Sequence, residues 1–169
     1  MTTVSPVTDA LIPSASLDHH RQIQVKVSIF DVSNSEHALF IGDVSSLNQC
    51  SNYTLDTDAS RLATYSATTT GCDSTVFSTP LWVRFTGGGA TTLATSATLS
   101  YRCGTYRTGW LVTPLSSTTG TTTTAVVCFS WTTNICSWNT VISVTNCNGF
   151  YVFLLPSPPV GCYSRYCTQ

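Results

Sequence analysis

From Gln22 onward, apolar Ile23, Val25, Val27 and Ile29 alternate with polar Gln22, Gln24, Lys26 and Ser28, the two-residue period of a half-buried strand. Asn34-Ser35-Glu36 supplies a turn and residues 38–41 a second apolar run, so 22–44 read as a β-hairpin. Ahead of it, residues 1–20 hold Pro6 and Pro13 and only spaced apolar side chains, among them Val4, Val7, Leu11 and Ile12. That pattern predicts an extended arm rather than a helix. Further on, short strand-like runs recur at 81–85 (ending at Gly87-Gly88-Gly89), 98–103, 109–112, 125–129, 141–144 and 147–153. The Ser, Thr and Gly run at 116–124 predicts an exposed loop. Nowhere does a 3.6-residue period persist for more than about three turns. The expected fold is mainly β: a disulfide-stabilised antiparallel β-domain with an added N-terminal arm and hairpin.

The cysteines change this picture most. Five of the eight lie between Cys128 and Cys167, with strand-like segments and turn residues between them. An even number at irregular spacing, without a Cys-x-x-Cys pair, reads as a disulfide framework rather than a zinc site. The three histidines, His19, His20 and His37, all precede the first cysteine. No metal and no cofactor is therefore expected. Disulfides imply an oxidising compartment. The first nine residues have neither the basic nor the apolar region of a signal peptide, so the sequence reads either as starting inside a longer precursor or as bearing a Met1 that is not its native start.

Charge narrows the partners. Charged residues make up 9% of the 169-residue chain, against about 25% in an average domain, and the net charge is −1. The seven Lys and Arg are scattered rather than clustered, which argues against nucleic-acid binding. No apolar run reaches the length of a membrane span. Ser and Thr make up nearly a third of the chain and are candidate O-glycan acceptors in a secreted protein. Asn52-Tyr53-Thr54 is a standard N-glycosylation sequon next to Cys50.

Trp82-Val-Arg-Phe85 with its glycines, Tyr101-Arg-Cys103-Gly-Thr105 and Trp110-Leu111 resemble the eight-cysteine domain of the uromodulin family. So do Cys128, Trp131, Cys136-x-Trp138, Cys147-x-Gly149-x-Tyr151-Val152, Pro158-Pro159 and Cys162 through Tyr166-Cys167-Thr168. The likeness covers about residues 50–168, which sets the expected domains at 1–49 and 50–169. It implies four bridges: Cys50 to Cys147, Cys72 to Cys162, Cys103 to Cys167 and Cys128 to Cys136. A further bridge of uromodulin falls here on Ala97 and Ile135, so both of its cysteines are missing together. The residues alone would leave about 105 pairings open. The resemblance also implies a mannose-rich glycan that captures bacterial pilus adhesins. Its position falls on Leu155 and that of another family glycan on Val112; neither can carry a sugar, so Asn52 would have to act instead.

Catalytic chemistry is sparse. Asp56 and Asp58 could form the carboxylate pair of a glycosidase, but two acids so spaced read more simply as a solvated loop. The triple glycine lacks the lysine of a phosphate-binding loop. No Gly-x-Ser-x-Gly is present, and every histidine lies before residue 50. Trp82, Trp110, Trp131 and Trp138 could stack on sugars, although aromatics beside cysteines usually pack over disulfides. No enzyme is expected. The sequence reads as an extracellular, glycosylated structural subunit of a filament, coat or matrix. Self-association would run through the arm (Val4, Val7, Leu11, Ile12) or the hairpin face (Ile23, Val25, Val27, Ile29). The alternative is a glycan-presenting or glycan-recognising adhesion module.

Overall fold

The computed structural model describes residues 47–67 and 70–169, which belong to a unit spanning Leu39–Gln169. The arm and hairpin, with all eight residues assigned above to assembly, lie outside the described residues.

Among the described residues, seven strands form one sheet: β1 (Thr54–Asp56), β2 (Leu81–Phe85), β3 (Arg107–Leu111), β4 (Thr122–Trp131), β5 (Asn134–Asn146), β6 (Tyr151–Leu155) and β7 (Ser164–Tyr166). Their spatial order is β1-β2-β6-β5-β4-β3-β7. The inner five pair antiparallel, whereas β1 joins β2 and β7 joins β3 in parallel. The sheet is therefore antiparallel at heart with a parallel strand at each edge. Two short helices, α1 (Asn48–Ser51) and α2 (Asp73–Val76), flank it.

The long hairpin β4–β5 is the spine. Alternate residues Ala125, Val127 and Phe129 of β4, with Ile142 and Val144 of β5, point to one face and are buried. There they meet Val83, Phe85, Phe153, Leu155, Leu111 and Tyr166 in a single core cluster. At the hairpin end, Thr132 turns with φ 52°, and a register shift between Phe129 and Trp131 bends the ladder. β4 begins at Thr122 and so takes in the end of the Thr-rich run expected to be loop. Threonine suits a pleated edge of a sheet as well as it suits a loop.

Residues 98–103 are a turn instead of the expected strand. Tyr101 and Cys103 adopt φ of 64° and 42°, which no strand accommodates. The chain bends here because Cys103 is drawn into a buried bridge with Cys167. The C-terminal segment is equally tied in. β7 is wholly buried, and beyond it Thr168 bridges Leu62 on one side and Leu93 on the other.

Candidate functional site

The disulfides form the frame. The structure joins Cys50 to Cys147, Cys72 to Cys162, Cys103 to Cys167 and Cys128 to Cys136, the pairs implied by the resemblance, and leaves no free cysteine. Each of the first three ties a segment outside the hairpin to the second half of the sheet. Ala97 is exposed, and Ile135 is 55% exposed.

Asn52 stands on the Cys50–Cys147 corner. It follows the last residue of α1, and its amide donates to the Asn48 carbonyl at 2.8 Å. Its side chain is exposed, as is Thr54 at the start of β1. Between them Tyr53 turns inward, edge-on to Phe150 at 5.8 Å. Arg84 lies flat over Phe150 at 4.0 Å and donates to the Tyr53 hydroxyl at 3.1 Å. From the other side, Gln49 Nε2 donates to the hydroxyls of Thr122 (3.1 Å) and Thr145 (3.2 Å). The acceptor asparagine is thus free while its neighbours on both sides are anchored.

The other two glycan positions differ from each other. Val112 is 46% exposed, whereas Leu155 is completely buried on the core face of β6. A glycan cannot face a core. Because side chains alternate across a strand, the outward position is Leu154, one residue earlier, and it cannot carry an N-linked sugar either.

Asp56 and Asp58 each face an arginine, although the Asp58 side chain is 47% exposed. Asp56 accepts from Arg61 Nε at 2.6 Å, and Asp58 binds Arg165. Asp73 joins the two arginines: it takes both ends of the Arg61 guanidinium at 2.8 Å and lies 3.8 Å from Arg165 Nε. Burial would lower the Arg61 pKa, but the Asp73 and Asp56 carboxylates overcome that and raise it further. Burial, with the Asp73 charge second, also pushes the Tyr166 phenol well above its ordinary range. Its hydroxyl donates to the Pro156 carbonyl at 2.8 Å. The five charges act as a polar clamp between β1, α2 and β7. Each carboxylate in it faces a guanidinium. Nothing in the sequence marked these partners: Asp58 and Arg165 are 107 residues apart.

The four tryptophans are half-buried, not core. Trp138 packs against the main core and Trp110 against the cluster of Ala94, Cys103 and Cys167. Trp131 and Trp138 flank the Arg107 guanidinium at 5.3 and 5.4 Å. Among the described residues, no group of His, Cys, Asp or Glu could hold a metal ion, and no helix is long and apolar enough to cross a membrane.

Comparison with known proteins gives this frame its context. Over 129 residues, or 73% of the chain, the sequence is 33% identical to the pancreatic secretory granule membrane major glycoprotein GP2 of Canis lupus familiaris. It is 35% identical to uromodulin of Mus musculus over 89 residues (52% of the chain) and 35% identical to that of Rattus norvegicus over 99 residues (58%). The matches span 24%, 14% and 15% of those relatives' lengths. Residues 83–168, from β2 through β7 to Thr168, match the uromodulin-like domain family. Together the match and the four bridges establish that the chain belongs to the family of uromodulin-like domains.

Proposed function

We propose that the chain is an extracellular, glycan-bearing structural subunit of a filament, coat or matrix. Residues 50–169 form its rigid body, and residues 1–49 are the element through which copies associate. The observation that carries the reading is Asn52, an exposed acceptor beside the Cys50–Cys147 bridge with its flanks fixed to the sheet. A sugar there projects from a rigid support rather than from a loose loop. Four disulfides suit an oxidising environment, and one relative is by name a glycoprotein. Durability is what such a unit supplies, and the role requires no catalysis.

The test has two arms. Protein secreted from eukaryotic cells should lose one N-glycan's mass on enzymatic deglycosylation, and Thr54→Ala should abolish that loss while leaving thermal unfolding unchanged. By light scattering, the full chain should form particles larger than a monomer, and deletion of residues 1–21 should reduce them to a folded monomer. An unglycosylated Asn52, or assembly that survives the deletion, refutes the corresponding half of the proposal.

A further inference from the structure

A groove of about 390 Å³ opens between Ala63–Thr64 and the turn from Ser96 to Arg102. Its lining is chemically mixed: Ala97 and Leu99 are apolar, Thr64 and Ser96 bring exposed hydroxyls, and Arg102 brings a cation. Leu99 is 69% exposed, more than any other large hydrophobic residue described.

Arg102 differs from every other described arginine. Arg61 and Arg165 are held by Asp56, Asp58 and Asp73. Arg84 binds Tyr53 and covers Phe150, and Arg107 lies between Trp131 and Trp138 and donates to the Val160 and Cys162 carbonyls. The half-buried Arg102 side chain has no hydrogen bond, ion pair or ring contact among the described residues. No Asp or Glu occurs after Asp73, and the three described carboxylates already face Arg61 and Arg165. The charge of Arg102 is uncompensated among them, so the groove is complementary to an anion.

The rest of the lining adds a second preference. Ala97 and Leu99 give the groove an apolar wall beside the Arg102 cation, and Thr64 and Ser96 offer hydroxyls. The bridge from Cys103 to Cys167 fixes the end of the turn that carries Leu99 and Arg102. A bare anion would make no use of the leucine, and a neutral sugar would make no use of the arginine. A sugar that carries a carboxylate uses both and meets the hydroxyls as well.

We infer that this groove binds an acidic saccharide, a sialic or uronic acid residue. Its carboxylate pairs with Arg102, its hydroxyls meet Thr64 and Ser96, and its apolar edge rests on Leu99. The site goes beyond the structural role proposed above and depends on neither Asn52 nor assembly.

The experiment is an NMR titration of the full chain with the methyl glycosides of N-acetylneuraminic acid and glucuronic acid, the methyl ester of each, and sodium sulfate. At least one acid sugar should bind roughly tenfold or more tightly than its ester. Arg102→Gln, checked for unchanged thermal unfolding, should erase that preference. Equal binding of acid and ester by the unmodified protein overturns the inference whether or not the variant folds. Binding of sulfate as tight as that of the sugar, or an unaffected Arg102→Gln, overturns it too.

Discussion

Asp73 grips Arg61 with both carboxylate oxygens, each at 2.8 Å from a guanidinium nitrogen, at a point where the two side chains are 1% and 3% exposed. The same carboxylate accepts the Tyr166 amide at 2.8 Å. One side chain at the start of α2 therefore fixes the turn after β1 and the last strand of the sheet. Removing its charge would strand a buried cation, a loss of about 3–5 kcal/mol for a broken buried pair. Asp73→Asn should fall at the lower end of that range, because Asp56 still faces Arg61. Replacing both partners, as in Arg61→Met with Asp73→Leu, should cost less than the sum of the single changes. Urea unfolding of the four proteins measures the difference.

Asp58 predicts an acid limb to the stability curve. Partial burial opposes its ionisation, but hydrogen bonds from Ser60 and Arg165, together with the Arg165 charge, prevail and hold its pKa at about 2. A carboxylate depressed by folding contributes stability in full above its unfolded pKa and loses it as pH falls through the folded value. The melting-temperature gap between the native chain and Asp58→Asn should be constant above about pH 5 and close between about pH 4 and 2. A gap that widens over that interval would contradict the ion pair.

The four bridges should not contribute equally. In the chain-entropy view, the Cys50–Cys147 closure, with a separation of 97 residues, is worth about 4.7 kcal/mol. The Cys128–Cys136 closure, with a separation of 8, is worth about 2.5 kcal/mol. Replacing both cysteines of each pair by serine and comparing the unfolding midpoints should reproduce that order. Unfolded without reductant, the native chain should show no reactive thiol.

Gly109 is the residue in β3 at which two strands close in. A Cβ there would lie 2.8 Å from Phe129 Cε1 and 3.0 Å from the Arg165 carbonyl oxygen. Gly109→Ala should destabilise by about 1–3 kcal/mol through overpacking. The loss should appear as early hydrogen exchange at the Cys167 amide, which donates to the Gly109 carbonyl at 2.9 Å.

What was legible followed from local pattern. The run Leu81–Phe85 is a strand with the expected bounds, and 125–129 and 141–144 fall inside β4 and β5, because alternation reports directly which side chains face a core. What was illegible depended on distant partners. The segment 98–103 has the composition of a strand, and only the pull of Cys167 and the positive φ at Tyr101 and Cys103 make it a turn. Asp58 read as part of a solvated loop because Arg165, the residue that binds it, is 107 residues away. The edge strands β1 and β7, of three residues each, are too short to carry a period. The bridges were readable only through family likeness, since spacing alone does not choose among pairings.

The burial of β7 and the two-sided bridge of Thr168 set a schedule for making the protein. Synthesis proceeds from the N-terminus, yet Cys72 and Cys103 wait for Cys162 and Cys167, and Arg61 and Asp73 wait for Tyr166. Until residue 168 has emerged from the ribosome and its tunnel, two thiols stay reactive and the charge clamp stays open. The nascent domain is thus obliged to finish folding after translation of this segment, in the company of oxidoreductases. A premature stop only eight residues before Gln169 would leave Cys72 and Cys103 without their partners, and quality control would see free thiols rather than a slightly shortened domain.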